Sequence, residues 1–304
     1  MVAHGQGWRG ALGLMLLGCT GVALAGQADA SESLRQAIAF MQQGNWTRAG
    51  QAVDQALAMS PEDLQALYWK SYLLFQAAKY EQSSTYASRY LTRNPANGAA
   101  HKILGLDYFM QAQRALAETE LQQACELSPA DSEARYYLGR VHFERQNLPA
   151  ALESFRRVIV IDPGSVRGYN HLGQTLEGLA RFEEARSAYK KSIELDQGPG
   201  KKSEWACFNL GVLALKEGQA QEAIQWLKEA LLRRPSWPEA TVQLAAALGS
   251  VAHFEESRQL LEELLTVEPK NADAHYQLAR LLLKMRRPEE ARRHFQLFQE
   301  LKKL

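Results

Sequence analysis

The sequence contains few cysteines, and its acidic and basic residues nearly balance. Only Cys19, Cys125 and Cys207 occur in 304 residues, and no CxxC pair is present. A structural zinc site or a disulfide framework needs closely spaced cysteines, so neither is expected. Lys and Arg total 35 against 34 for Asp and Glu, which gives a net charge of +1. A general nucleic-acid binder carries a marked basic excess, so no nucleic-acid partner is expected.

Motifs that support catalysis or cofactor binding are also missing. The seven histidines form no H-E-x-x-H pair, and the glycines form neither a phosphate loop nor a dinucleotide fingerprint. No G-x-S-x-G nucleophile turn occurs either. We therefore expect no metal, no cofactor and no enzymatic activity, and we expect Cys125 and Cys207 to pack against neighbouring helices.

The N-terminus has the composition of an export signal. Arg9 is the one Lys, Arg, Asp or Glu among the first ten residues, and an apolar stretch interrupted only by Gly and Thr follows at 11–25. The A-x-A spacing read by signal peptidase occurs at 23–25 and again at 28–30. Residues 1–30 are therefore predicted to be a signal peptide, which would direct the protein to the periplasm or outside the cell.

A second interpretation of this segment remains open. Leu16-Leu17-Gly18-Cys19 resembles a bacterial lipoprotein box, in which Cys19 would become the acylated first residue of an outer-membrane lipoprotein. Lipoprotein tethers usually turn polar after the cysteine, whereas residues 22–25 are apolar here. Membrane association is expected only through such a lipid anchor.

Beyond the signal, the sequence repeats itself every 34 residues. Prolines recur at this spacing in two series, Pro61, Pro95, Pro129 and Pro163, then Pro235 and Pro269. The distance between the two series is two periods plus four residues, and the extra residues fall in a Gly- and Lys-rich stretch. A frame that starts near Ala30 places repeats 1–5 at residues 31–197, a loop insertion at 198–203 and repeats 6–8 at 204–304.

Two positions of every repeat carry only Ala, Ser or Gly. Position 8 is Ala37, Ser71, Gly105, Gly139, Gly173, Gly211, Ala245 and Ala279. Position 20 is Ala49, Ser83, Ala117, Ala151, Ala185, Ala223, Ser257 and Ala291. Each repeat also contains two apolar-periodic stretches of helical length, separated by a short polar turn. Because two helices cross closely only where the facing side chains are small, each repeat is predicted to be a hairpin of helix A and helix B.

This pattern resembles the tetratricopeptide-repeat consensus. The matching positions are Leu138-Gly139, Ala151, Phe155 and Pro163, and again Leu210-Gly211, Ala223, Ala230 and Pro235. The resemblance covers essentially all of the chain after the signal. It implies an all-α fold, an α-solenoid of about eight helix-turn-helix repeats forming a superhelix. Two departures are Gln197, which stands where repeat 5 should have proline, and the lack of a separate solvating helix after repeat 8.

The resemblance also implies where a partner would bind, because positions 2, 5, 6, 9, 12 and 13 of helix A line a concave groove in similar proteins. In repeats 2–4 these positions are rich in aromatics, with two cations: Tyr68, Tyr72, Phe75, Lys102, Phe109, Tyr136, Arg140 and Phe143. In repeats 5–8 they carry mainly amides: Asn170, Gln174, Asn209, Gln243, Gln277 and Arg280. Aromatic and arginine side chains can anchor a peptide or helix, and amides can pair with an extended backbone. The alternative is that the aromatics pack between neighbouring A helices.

Two functions are compatible with such a face. The first is an exported protein-protein interaction scaffold that binds other proteins and helps to assemble an envelope complex. The alternative is a carrier subunit that binds a polysaccharide or lipid-linked substrate for a partner enzyme, since Tyr68, Tyr72 and Tyr136 could stack on sugar rings. The two-carboxylate clamp of some family members is incomplete here, because Lys102 at position 5 is followed by Leu106 at position 9.

The last predicted helix has an apolar side of its own. It consists of Phe295, Phe298, Leu301 and Leu304. Without a capping helix this side would be exposed, so the sequence predicts that self-association through the C-terminal helix can occur.

Overall fold

The computed structural model describes residues 25–196 and 203–303. Within these ranges the chain is all-α, with sixteen helices and no strand. Its contacts divide the chain into two units, unit 1 at residues 1–146 and unit 2 at residues 147–304. Cys19, most of the predicted signal, Leu304 and all of the predicted insertion except Ser203 lie outside the described residues.

The helices follow the 34-residue frame closely. Those of unit 1 are α1 Ala25–Gln42, α2 Trp46–Met59, α3 Leu64–Gln76, α4 Tyr80–Leu91, α5 Gly98–Met110, α6 Arg114–Leu127 and α7 Ser132–Glu144. Those of unit 2 are α8 Leu148–Ile161, α9 Val166–Gly178, α10 Phe182–Leu195, α11 Glu204–Lys216, α12 Ala220–Arg233, α13 Pro238–Ser250, α14 Phe254–Val267, α15 Ala272–Lys284 and α16 Pro288–Leu301. Odd-numbered helices are the predicted A helices and even-numbered ones the B helices. The predicted all-α repeat fold is thereby confirmed.

Helix length and composition also indicate whether a helix could cross a membrane. None of the helices in the two described ranges combines the length and the apolar composition that a bilayer crossing needs.

The turn between helix A and helix B has the same backbone conformation in every described hairpin. Position 15 has a positive φ, between 57° and 76°, at Gly44, Ala78, Ala112, Gln146, Ala180, Gly218, Ala252 and Arg286. A left-handed residue ends a helix and lets the chain reverse its direction. Only two of these eight residues are glycine. The other six carry a Cβ and adopt the left-handed conformation, which costs about 1–2 kcal/mol for an L-residue.

The A helices mostly begin at a capping side chain. The caps accept a hydrogen bond from the backbone N–H three residues further on, and they are Asp63, Asn97, Asp131, Ser165 and Asn271. At α13 the same position is Trp237, which makes no side-chain cap. Its buried ring instead packs on Trp205 and Phe208, with ring centroids 4.6 and 4.7 Å away.

The predicted small residues lie where the two helices of a hairpin cross. A Cβ built at Gly105 would lie 2.7 Å from Cγ of Leu121, and one at Gly211 would lie 2.7 Å from Cγ of Leu227. The leucines occupy position 24 of the same repeats. A glycine in helix A therefore allows a large side chain from helix B to fill the crossing, and the arrangement is the same in both units.

Both described cysteines are packed in the interior, as predicted. Cys125 of α6 and Cys207 of α11 are free thiols with little or no exposed surface. Burial raises the pKa of each thiol to about 11, so both remain protonated at neutral pH.

Candidate partner-binding face

The A-helix face of each unit comprises positions 2, 5, 6, 9, 12 and 13 of its A helices. In unit 1 the aromatic side chains of this face are mostly buried. Tyr68, Phe75, Phe109 and Tyr136 expose only 4–7% of their surface, whereas Tyr72 and Phe143 are half-buried. These aromatics therefore mainly fill space inside unit 1, as the alternative interpretation of the sequence proposes.

Ring contacts show which elements the aromatics connect. The Tyr68 ring lies 5.6 Å from that of Tyr90, which joins α3 to α4. The Phe109 ring lies 5.4 Å from that of Tyr137 in a T-shaped arrangement, which joins α5 to α7. Aromatic pairs at such distances contribute about 0.5–1.5 kcal/mol beyond the area that they bury.

Phe109 is also covered by two cations. The guanidinium carbons of Arg114 and Arg140 lie 4.4 and 4.6 Å from the ring centroid. Both guanidinium groups pair with Glu144 as well, and Arg114 donates a hydrogen bond to the Phe109 carbonyl. Arg140, a predicted binding residue, is therefore held against Phe109 and Glu144 within unit 1.

Lys102, the other predicted cation of this face, is buried at the junction of α5 with α7. Its ammonium group lies 2.7 Å from the Asp131 carboxylate and 3.4 Å from that of Glu133. Asp131 is at the same time the N-cap of α7. Lys102 thus fastens the start of one A helix to the preceding A helix, and its charge is neutralised within the fold.

Asp107 of α5 is a polar residue of unit 1 that the sequence analysis missed. It has no exposed surface, and neither carboxylate oxygen has a hydrogen-bond partner among the described residues. Burial raises the pKa of this carboxyl to about 8, although the nearby Ser83 hydroxyl acts in the opposite direction. That hydroxyl donates its proton to the Ser71 carbonyl. The sequence could have revealed Asp107 as unusual, because the equivalent position is apolar in six of the other repeats and threonine in the seventh.

The A-helix face of unit 2 is polar, as predicted, and more exposed. The Asn209 amide donates to the Asn170 side-chain oxygen at 3.1 Å, which links α9 to α11. Gln174, Gln243 and Gln277 are half-buried, and none of their side chains hydrogen-bonds to a described residue. These three amides can therefore donate and accept hydrogen bonds elsewhere.

A cavity of about 130 Å³ opens on this face between α13 and α15. Its lining residues are Ala245, Ala246, Gly249, Ser250, Ser257, Leu261, Gln277, Arg280, Leu281 and Lys284. Gln277 and Arg280 were predicted site residues. Lys284 was not, although it occupies position 13 of the same face. The cavity is the place where the structure brings predicted residues of unit 2 together around an open space.

Comparison with known proteins agrees with the repeat architecture. Sequence models described as tetratricopeptide repeat match residues 34–98, 104–166, 164–236 and 252–298. The chain is 22% identical over 191 residues to TPR repeat-containing protein YpiA of Bacillus subtilis, an alignment that covers 62% of this chain and 44% of YpiA. It is 25% identical over 161 residues to the type IV pilus assembly protein PilF of Pseudomonas aeruginosa, covering 53% and 63%. The chain thus spans about half the length of these curated relatives.

Solved structures show the same fold. The structure of Pseudomonas aeruginosa PilF superposes with a TM-score of 0.59 at 21% identity, over 69% of this chain and 93% of PilF. The structure of the APC/C hetero-tetramer Cut9–Hcn1 superposes with a TM-score of 0.61 at 16% identity, over 91% of this chain and 54% of the other. At such identities the similarity concerns the fold alone. From the sequence matches over most of its length, the chain belongs to the tetratricopeptide-repeat family.

Proposed function

We propose that this protein is an exported interaction scaffold that binds segments of other proteins on the A-helix face of unit 2 and helps to assemble an envelope complex. The observation that carries the proposal is the row of half-exposed amides at Gln174, Gln243 and Gln277, which have no hydrogen-bond partner among the described residues. Amides on three of the four A helices of unit 2, α9, α13 and α15, match the donors and acceptors that recur along an extended backbone.

The predicted setting of the protein is consistent with this role. The predicted signal at residues 1–30 supports export, and the similarity to a type IV pilus assembly protein supports an envelope setting. The polysaccharide carrier is the less favoured function, because Tyr68 and Tyr136 are buried and present no open ring face to a sugar.

The test is affinity capture from envelope extract with the purified chain, followed by mass spectrometry. One variant carries Gln174→Ala, Gln243→Ala and Gln277→Ala. The matched control carries Gln221→Ala, Gln259→Ala and Gln296→Ala, three exposed glutamines on the B helices α12, α14 and α16. Partner proteins retained by the native chain and by the control, but lost from the first variant, would support the proposal. If the first variant retains the same partners as the native chain, the proposed face is wrong.

Export needs a separate measurement. Residues 1–30 fused to a reporter enzyme that is active only outside the cytoplasm should give activity in a bacterial host. With the signal in place, Cys19→Ala should leave export unchanged if the protein is simply secreted. If the lipoprotein interpretation is correct, this substitution should abolish incorporation of labelled fatty acid.

A further inference from the structure

The cavity of unit 2 exists because repeat 7 has small residues at two positions of the A-helix face. Position 9 is Ala246 and position 12 is Gly249. The same positions hold large side chains in unit 1, namely Tyr72 with Phe75, Leu106 with Phe109 and Arg140 with Phe143. The space beside α13 is therefore left open by the residues of repeat 7 themselves.

Two cations border the open space without a counter-ion. Neither Arg280 nor Lys284 pairs with a carboxylate of any described residue, and the cavity lining contains none. Other arginines of unit 2 do have such partners, for example Arg233 with Asp196 and Arg258 with Glu262. Because Arg280 and Lys284 are four residues apart on α15, they are neighbouring like charges, an arrangement that destabilises a helix.

The donors available to a ligand can be counted from the hydrogen bonds. The hydroxyls of Ser250 and Ser257 donate their protons to the carbonyls of Ala247 and Ala245, both at 2.6 Å. Lys284 donates one proton to the Gly249 carbonyl at 3.1 Å, which leaves two. The N–H groups that remain belong to Lys284, the Arg280 guanidinium and the Gln277 amide, so the cavity is suited to an acceptor that carries negative charge.

We propose that this cavity binds a carboxylate of the partner polypeptide, supplied by an Asp or Glu side chain or by a chain end. The inference rests on the proposed function and names the chemistry that its unit 2 face recognises. A cavity of about 130 Å³ is large enough to admit the carboxylate of a short acidic side chain. The methyl groups of Ala245, Ala246 and Leu281 would contact the methylene groups of this acidic side chain. The Arg280 guanidinium would donate hydrogen bonds to both oxygens of its carboxylate. The donors Gln277, Arg280 and Lys284 lie at positions 6, 9 and 13 of the single helix α15. This set of positions differs from that of the two-carboxylate clamp.

The experiment is a selection of random peptides of about twelve residues against the purified full chain. The selection is repeated with Arg280→Gln/Lys284→Gln, which removes both cations, and with Ala246→Leu, which fills the cavity and keeps every charge. The control is Arg293→Gln/Lys303→Gln, which removes two exposed cations outside the cavity. Circular dichroism of each variant checks that it is folded.

The expected result is that native chain and control select peptides enriched in Asp or Glu at one position, and that both cavity variants lose this enrichment. A selected peptide should bind both cavity variants about tenfold more weakly than it binds the native chain. Replacing its Glu by Gln should weaken binding about tenfold to the native chain but leave binding to Arg280→Gln/Lys284→Gln unchanged. Amidating the peptide C-terminus shows whether a side chain or a chain end supplies the carboxylate.

Four outcomes would overturn the inference. Selected peptides without acidic enrichment, or acidic peptides that bind the cavity variants equally well, would disprove the carboxylate site and leave the proposed scaffold function standing. Tighter binding when phosphoserine replaces the acidic residue would assign the cavity to phosphate instead. Failure of the native chain to select any peptide would contradict both the carboxylate site and the proposed function.

Discussion

Unit 1 and unit 2 are built from the same hairpin, but they use the A-helix face differently. Position 12 is phenylalanine in three successive repeats of unit 1, at Phe75, Phe109 and Phe143, and it is Glu177, Leu215, Gly249 and Leu283 in unit 2. The crossing inside the hairpins nevertheless follows one rule in both units: position 8 is Gly, Ala or Ser, and at Gly105 and Gly211 it faces a leucine at position 24. The core of a hairpin therefore determines the fold, while the A-helix face varies without disturbing it.

The difference has an energetic consequence. In unit 1 most of the aromatic face residues are buried and in contact with one another, and the cations Lys102 and Arg140 are paired with carboxylates of the same unit, so these residues contribute to stability. In unit 2 the face residues Gln243, Gln277 and Arg280 make few internal interactions, so their contribution to stability is small. Substitutions on the same face should therefore affect stability in one unit and partner binding in the other.

The largest effect is expected from Phe109→Ala. Removing this buried ring leaves a cavity and two guanidinium groups without their aromatic partner, which should lower the free energy of unfolding by about 3–5 kcal/mol. Gln277→Ala, on the face of unit 2, should change it by less than about 0.5 kcal/mol. Urea unfolding followed by circular dichroism measures both values. Equal costs at the two sites would remove the distinction between the units.

The next effect concerns the buried carboxyl of Asp107. Its pKa of about 8 in the folded protein lies above the value of about 3.9 in an unfolded chain, so the folded state retains the proton. The contribution of the Asp107 carboxyl to the free energy of unfolding is fully present below about pH 4 and is lost as pH rises through 8. Asp107→Leu should therefore raise the free energy of unfolding at pH 7 by about 2–4 kcal/mol.

Asp107→Asn is the matched control, because it removes the charge and keeps the shape. Both variants should abolish the fall in stability between pH 4 and pH 8. Denaturant unfolding at a series of pH values makes the comparison. If native chain and both variants show the same pH dependence, Asp107 is not buried as an uncompensated acid.

The sequence was sufficient to predict the hairpins but not the state of their faces. Proline and small-residue positions repeat with a fixed period because the crossing of two helices imposes the same steric requirement on every repeat, as at Gly105 and Gly211. A side chain on the A-helix face obeys no such rule, since whether Phe109 turns inwards depends on the residues of the adjacent repeat. Lys102 illustrates this, because its charge is neutralised by Asp131 and Glu133 of the following repeat.

The cavity of unit 2 was similarly difficult to predict, because it results from two side chains that are too small to fill it. Ala246 and Gly249 carry no chemical signal by themselves, and only comparison with Tyr72 and Phe75 at the same positions makes their size informative. The left-handed turns were missed for a related reason. Glycine indicates such a conformation at Gly44 and Gly218, whereas alanine at Ala112 gives no indication of it.

A smaller effect is expected from a histidine that occurs in both units but has a different partner in each. In unit 1, His101 contacts the Pro95 carbonyl through Nε2 and the Glu120 carboxylate through Nδ1. In unit 2 the equivalent His275 contacts the Pro269 carbonyl, but its Nδ1 lies 2.9 Å from Nδ1 of His294. Burial, and then the neighbouring His275, lower the pKa of His294, while two glutamates oppose the shift.

Because the pKa of His294 is depressed in the fold, its contribution to stability is present above about pH 6.5 and is lost as pH falls through the folded value. His294→Glu reproduces the pair of unit 1 and should raise the free energy of unfolding at pH 5 by about 1 kcal/mol. Urea unfolding at pH 5 measures the gain. His294→Gln serves as control, since it keeps a hydrogen-bonding side chain without adding charge. A gain of equal size from His294→Gln would contradict the ion-pair explanation.

The smallest effect should be the same in both units, because it belongs to the hairpin and not to the face. Ala112 in unit 1 and Ala252 in unit 2 occupy the left-handed turn with φ of 61° and 64°. Replacing either by glycine removes the Cβ strain of about 1–2 kcal/mol but increases the backbone entropy of the unfolded chain by about 0.5–1 kcal/mol, so each should stabilise the protein by about 0.5 kcal/mol. Thermal unfolding of the two variants and of their double mutant measures the gain, which should be additive if the two turns act independently. A gain in only one unit would show that the turns, like the A-helix faces, differ between the units.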